Sequence, residues 1–267
     1  MIHWNVTPEI LHIGPLVIRW YGLCFAIAFL LGYRIVAAAF TLDNYPLENV
    51  DKMFAYVFVA TLVGARLGHT LFYEPQEYLA DPIRILKVWE GGLASHGAAA
   101  GILFAMWLYS RRYKVNVVWV LDHICVGVAL AGGFIRLGNL FNSEIIGRPT
   151  TAPWAFVFSR VDALPRHPTQ IYESLAYFSL FFLLKHLFFR TELRHRRGFI
   201  FGIFLIGVFG FRFLIEFLKE NQVGFESQMP LDMGQLLSIP LILLGIYLIF
   251  VASSSPKKIT TPQKFSK

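Results

Sequence analysis

Long apolar runs, each closed by a short polar cluster, set the pattern of this chain. A helix needs about 20 apolar residues to cross the hydrocarbon core of a bilayer. Runs that meet this measure fall at about 16–40, 52–73, 93–110, 117–137, 169–189, 198–217 and 231–252. The interruptions carry loop chemistry: LDNYPLEN (42–49), YEPQEYLADP (73–82), SRRYK (110–114), the long 138–168 segment, RTELRHRR (190–197) and ENQVGFESQMP (220–230). Pro168 stands where the fifth helix is expected to begin, its fixed φ suiting a first turn. The pattern predicts an all-α polytopic membrane protein with seven transmembrane helices, read as one domain over residues 1–267. No internal repeat is evident, which weighs against an inverted-repeat transporter.

Composition agrees: 56% of residues are hydrophobic, 15% are charged, and 26 are Phe. Soluble domains run closer to ~45–50% apolar and ~25% charged. The net charge of +7 is therefore read as topology. No basic stripe alternates with aromatics, so nucleic acid is not an expected partner. Cys24 and Cys125 lie inside apolar runs and read as buried packing thiols. The start, MIHWNVTPEILHIGP, lacks the basic region and cleavage site of a removable signal peptide. Lys and Arg decide orientation. With the N-terminus outside, the cytoplasmic loops and tail hold thirteen of them: Lys52, Arg111, Arg112, Lys114, Lys185, Arg190, Arg194, Arg196, Arg197, Lys257, Lys258, Lys264 and Lys267. The outside segments hold six: Arg84, Lys87, Arg148, Arg160, Arg166 and Lys219. The expected plan is N-terminus out, C-terminus cytoplasmic, with 138–168 extracytoplasmic.

Five arginines remain within or at the ends of spans: Arg19, Arg34, Arg66, Arg136 and Arg212. A charge at the bilayer centre costs at least ~2.5–3.5 kcal/mol, so such residues usually face the bundle interior and work. Arg34 reads as snorkelling to headgroups, and Arg19 as either that or a site residue. Arg66 shares a helical face with His69 and Tyr73, a polar seam. Arg136 and Arg212 approach the same leaflet, and two converging guanidiniums in apolar surroundings call for an anion such as phosphate or carboxylate. Glu216, one turn from Arg212, offers the plainer alternative of an intrahelical pair.

Other clusters crowd the same side: His96 in GGLASHGAAAG (91–101), His167, Gln170, Tyr172 and Glu173 in RHPTQIYES (166–174), and Tyr21 in IRWYG (18–22). The densest is IRLGNLFNSEIIGR (135–148). There Arg136 and Asn139 would share a helix face, Asn142 and Glu144 follow, and Gly138 and Gly147 are expected to let the backbone turn tightly. As structure alone, Glu144 would neutralise Arg136 or Arg148. As a site, these groups suit a phospholipid phosphate. No HExxH, GxSxG or glycine-rich phosphate loop occurs, and no metal or cofactor is called for.

RLGNLFNSE (136–144), HGAAAG (96–101), RHPTQIYE (166–173), FRFLIEF (211–217), MGQLLSIP (233–240) and RWYG (19–22) resemble motifs of the bacterial phosphatidylglycerol–prolipoprotein diacylglyceryl transferases, and the six occur in the same order over nearly the whole chain. Ile135, Leu140 and the HGAAAG form depart from the commoner pattern at packing positions. The resemblance implies transfer of a diacylglyceryl group from phosphatidylglycerol to the lipobox cysteine thiol of a prolipoprotein signal peptide, in the bacterial inner membrane. A thioether forms and glycerol phosphate leaves, with the active site facing outward. It implies lipid binding by Arg136, with Asn139, Glu144 and Gly147 shaping the site, and functional roles for Arg212, His96 and Tyr21. Arg66 and His167 join the expected substrate-binding set. The thiol, of ordinary pKa ~8.5, must lose its proton, and His96 is the expected base. Arg136 and Arg212 would stabilise the anionic leaving group. Two other classes would use buried arginines differently: a phospholipid or anion transporter or scramblase needs polar groups continuing to the inner side, and a non-catalytic membrane scaffold makes the arginines dispensable.

Overall fold

In hydrocarbon, a spanning segment must satisfy its own peptide groups, which a helix does. A computed structural model, describing residues 1–14, 16–87, 92, 94–220 and 230–254, has a helix at every expected run. They are α1 (Trp20–Leu42), α2 (Leu47–Phe72), α4 (Ser95–Arg112), α5 (Val117–Asn142), α6 (Thr169–Arg190), α7 (Phe199–Ile215) and α8 (Met233–Ser254), with a short α3 (Pro75–Ala80). Six of the described helices are long and apolar enough to cross a membrane, α7 being counted with its continuation to Leu218. The chain is a polytopic membrane protein. The exception, α4, opens on Ser-His-Gly and closes on Arg111 and Arg112, which lowers its hydropathy.

Some expected boundaries shift for local reasons. α1 begins at Trp20, not 16, because β3 (Leu16–Arg19) pairs antiparallel with β2 (Glu9–Ile13). α5 runs to Asn142, five residues past the expected 137. The all-α expectation is corrected by five short strands: besides β2 and β3, β1 (Ile2–Trp4) pairs parallel with β4 (Phe156–Phe158), which pairs antiparallel with β5 (Pro165–Arg166). These segments flank the spans, and there extended backbone finds partners across strands instead of within a helix.

The chain divides into two compact units. One gathers, among the described residues, Met1–Ala39 with those from Asp122 to Ser254. Its core is built on α5, α6 and α7, where Val126, Ala129, Leu184, Phe188, Ile200 and Leu205 are buried together. Asp122, itself buried, starts α7 by accepting from Gly198 N at 2.6 Å and Phe201 N at 2.8 Å. It satisfies donors that the helix leaves open. A second small core of Leu140, Phe156 and Phe158, with Trp4 and Ile171, fastens the three-stranded sheet to the end of α5. Trp4 Nε1 donates to Leu140 O at 3.0 Å.

The other unit holds Phe40–Leu121. In it α2 and α4 approach through glycines: a Cβ on Gly97 would stand 2.2 Å from Gly64 O, and one on Gly101 2.5 Å from Ala60 O. Only hydrogen fits there. Cys24 and Cys125 are free thiols and both are buried.

Candidate active site

Because α5 runs on to Asn142, Arg136 and Asn139 stand one turn apart on its face. Arg136 Nη1 donates to Asn139 Oδ1 at 3.3 Å. Asn139 Nδ2 donates to Glu144 Oε2 at 3.1 Å, and Asn142 Nδ2 to Glu144 Oε1 at 3.0 Å. Glu144 thus reaches Arg136 through an amide, not by the direct pairing the sequence offered. The chain folds back through Ser143 (φ 56°) and Ile145 (φ 55°), a left-handed backbone that is costly for a β-branched residue. Gln170 Nε2 holds this turn by donating to Glu144 O at 2.6 Å, and Thr169 Oγ1 by donating to Ile145 O at 2.8 Å.

Gly138 and Gly147, expected to make that turn, serve a different need. A Cβ on Gly138 would meet the Tyr21 ring at 2.8 Å, and one on Gly147 would meet His167 O at 2.6 Å. Gly138 lets Tyr21 lie against α5, where its hydroxyl feels the charges of Glu144 and Arg136. Gly147 lets residues 146–150 run between 165–167 and 218–220. Gly147 N donates to His167 O at 3.0 Å, and Arg148 N to Leu218 O at 2.8 Å.

From Arg136 a chain of ion pairs crosses three helices. Arg136 Nε lies 3.3 Å from Glu173 Oε2 on α6, and Lys219 Nζ lies 3.1 Å from Glu173 Oε1. Lys219 Nζ is also 3.3 Å from Glu216 Oε1, which is 3.4 Å from Arg212 Nε. Tyr177, buried on α6, lies within electrostatic reach of both Arg136 and Arg212. The two expected arginines therefore belong to one cluster, and the Arg212–Glu216 pair is one link of it. Buried charges persist only when paired. Three cations facing two carboxylates leave one positive charge over, with Glu144 one amide further out and exposed. Arg212 is the most accessible cation, its side chain 38% exposed against 16% for Arg136 and 3% for Lys219. A fork of N–H donors open to one side, backed by fixed charge, suits an anionic headgroup.

Lys219 escaped the sequence reading, which counted it as a loop charge. Its spacing of three from Glu216 and seven from Arg212 was the available signal. Other expected residues lie elsewhere. The His167 ring faces Tyr172, Nδ1 to hydroxyl 3.3 Å, and that hydroxyl also accepts from Trp154 Nε1 at 2.7 Å. Arg19 pairs with Glu9 at 3.4 Å. In the second unit, Arg66 is buried and donates to the carbonyls of Ile85 at 3.0 Å, Gly92 at 3.3 Å and Arg84. Its guanidinium also stacks 4.9 Å from the Tyr78 ring centre. It ties Arg84, Ile85 and Gly92 to α2. His69 Nε2 lies 3.2 Å from Glu74. His96 falls in the first turn of α4, with its side chain outside the described residues, as are the tail lysines and most of 220–230.

Apolar helices long enough to span a bilayer, with a chain of ion pairs linking α5, α6 and the end of α7, define an integral membrane protein with charge gathered at helix ends. A family model described as prolipoprotein diacylglyceryl transferase matches residues 8–251. The chain belongs to the prolipoprotein diacylglyceryl transferase family. Three relatives carry the name phosphatidylglycerol–prolipoprotein diacylglyceryl transferase. That of Tolumonas auensis is 48% identical over 254 residues, 95% of this chain and 98% of the relative. That of Chloroherpeton thalassium is 48% identical over 250 residues, 93% of each. That of Bacteroides fragilis is 45% identical over 261 residues, 93% of this chain and 94% of the relative.

Proposed function

We propose that the chain moves the diacylglyceryl group of phosphatidylglycerol onto the lipobox cysteine thiol of a prolipoprotein. The chain is a transferase. The observation that carries the site assignment is the ion-pair chain from Arg136 through Glu173, Lys219 and Glu216 to Arg212. In the step, a carbon–sulfur bond forms at the glycerol carbon that bears the phosphate. The carbon–oxygen bond to phosphate breaks and glycerol phosphate departs with the electron pair. The thiol proton passes to a base, for which His96 is the candidate. Because the nucleophile is the substrate's own sulfur, no enzyme serine or cysteine is required.

Arg212, the accessible cation, is placed against the phosphate and its developing charge. Arg136, held by Asn139 and Glu173, sets the position of the charge field. Asn139 and Glu144 shape the rim, Gly147 admits the close backbone approach beside it, and Tyr21 closes the side toward α1. Arg66 and His167 take supporting places. The full plan counts α4 as the seventh span in a single 1–267 catalytic domain of the bacterial inner membrane. The N-terminus is out, the C-terminus cytoplasmic and the site extracytoplasmic, as the lysine and arginine asymmetry supports.

Arg136→Gln, purified and assayed with phosphatidylglycerol and a lipobox peptide, is expected to lose transfer by on the order of 100-fold. Full activity in a well-inserted variant refutes the role of Arg136. His96→Asn is expected to change the rate profile between about pH 6 and 9, around the histidine and thiol pKa values. An unchanged profile removes His96 as base.

A further inference from the structure

We propose that Arg166 is a positioning residue for this transfer: its buried guanidinium staples three backbone segments together and thereby fixes where Lys219 and Gly147 stand. The inference rests on the transferase reading. Residues 146–150 form the middle of a short ribbon. On one side His167 N donates to Arg148 O at 3.1 Å and Thr150 N to Pro165 O at 2.8 Å. On the other, Arg148 N donates to Leu218 O at 2.8 Å and Glu220 N to Ile146 O at 3.3 Å. So short a ribbon holds its register weakly on its own.

Arg166, 5% exposed, crosses all of it. Nη1 donates to Gly147 O at 3.1 Å and to Glu220 Oε2 at 2.7 Å. Nε donates to Asp162 Oδ1 at 3.2 Å and Oδ2 at 3.0 Å, and Nη2 to Oδ2 at 2.5 Å. One planar group thus ties its own strand to the central segment, to the chain beyond α7 and to the 159–164 loop. A lysine, with a single point of charge, has no such fork.

The tie matters because of what the outer segment carries. α7 ends at Ile215 and its last turn at Leu218. Lys219 is then held by the ribbon: its carbonyl accepts from Arg148 Nε at 2.8 Å, and its backbone bridges to Gly147. From there its ammonium joins Glu173 to Glu216. Glu220, gripped by Arg166, is the very next residue. Arg166 touches no member of the ion-pair chain directly, so its influence travels through the backbone.

The test compares the full chain in detergent with Arg166→Ala, Arg166→Lys and Glu220→Ala, measuring thioether formation from phosphatidylglycerol and a lipobox peptide. Arg166→Ala is expected to lower kcat about 10- to 100-fold, because an ångström of misplacement can cost ~100-fold. KM for phosphatidylglycerol should stay within about 3-fold, since no substrate contact is removed. Free guanidinium ion at tens of millimolar should restore part of the loss in Arg166→Ala, and Arg166→Lys should remain well below the parent. Glu220→Ala, at a half-exposed carboxylate, is expected to lower kcat by a few fold while folding normally, so the question stays decidable if Arg166→Ala does not fold. Parent-like kcat in either alanine variant overturns the inference. So does a rise in KM at constant kcat, or a folded Arg166→Ala that guanidinium leaves unimproved. No product from the parent protein strikes down the transferase reading and this inference with it. Equal product from parent and variants strikes down this inference alone.

Discussion

Lys219→Met is the sharpest perturbation of the ion-pair chain. Lys219 Nζ sits 3.1 Å from Glu173 and 3.3 Å from Glu216, with side chains 3%, 0% and 9% exposed. At an effective dielectric of about 20, each contact carries roughly 5 kcal/mol of attraction. Most of that offsets desolvation, and removing one partner of such a buried cluster typically costs about 3–5 kcal/mol. Methionine fills similar volume, so packing changes little. What remains is Arg136 on Glu173 and Arg212 on Glu216, two separate pairs with no surplus positive charge. The melting temperature of the purified protein should fall by on the order of 10 °C, and diacylglyceryl transfer should fall by at least about 10-fold. Adding Glu216→Gln removes a carboxylate that Lys219→Met leaves with Arg212 alone, so the two changes together should lower the melting temperature by less than the sum of the single changes, a coupling that a double-mutant cycle reads directly. A Lys219→Met protein with parent-like melting and parent-like transfer would refute the reasoning, because the bridging cation would then hold nothing that matters.

Two further outcomes follow from packing and charge. Gly97→Leu forces a Cβ to within 2.2 Å of Gly64 O, a backbone atom that cannot swing aside, so α2 and α4 must separate. A loss of about 3 kcal/mol or more is expected, read as earlier thermal unfolding, and an unchanged transition would contradict the contact. The Arg166 hydrogen bonds hold the Asp162 carboxyl below its ordinary value. Its stabilisation is therefore present above about pH 3.9, where an unfolded aspartate ionises, and is lost as pH falls through the lower folded value. Asp162→Asn should melt below the parent at pH 7 and converge with it below about pH 4, and a gap that widens on acidification would reverse the assignment.

The spans were legible because the bilayer demands long apolar helices: each of the seven runs became a helix, with ends displaced by a few residues, and among the described residues six of them are long and apolar enough to cross a membrane. The strands were not legible. Residues 9–19 and 156–166 pair only through contacts distant in the chain or interrupted by turns, and short mixed segments carry little periodic signal. Arg136, Asn139 and Glu144 could be grouped because they are neighbours in sequence. That Asn139 carries the link to Glu144 depended on a turn through Ser143 and Ile145, and neither residue type announces a left-handed backbone. The join between Arg136 and Arg212 ran through Lys219, which lies beyond the end of α7, and its value depends on where α6 presents Glu173. Gly138 and Gly147 do not make the turn expected of them: what they permit is contact with Tyr21 and His167, partners that only the tertiary fold supplies.

The hydrogen-for-methyl fit between α2 and α4 has a mechanical side. Rods meshed at Gly64, Gly68, Gly97 and Gly101 can neither roll nor slide past each other without steric collision, so the pair must travel as one stiff body. The chain enters and leaves the pair through bends at Asn44 (φ 55°) and Lys114 (φ 53°), where the backbone departs from helical twist. Spin labels placed one on each rod would keep a fixed separation throughout turnover, while a pair straddling either bend would report whatever motion accompanies lipid and peptide exchange.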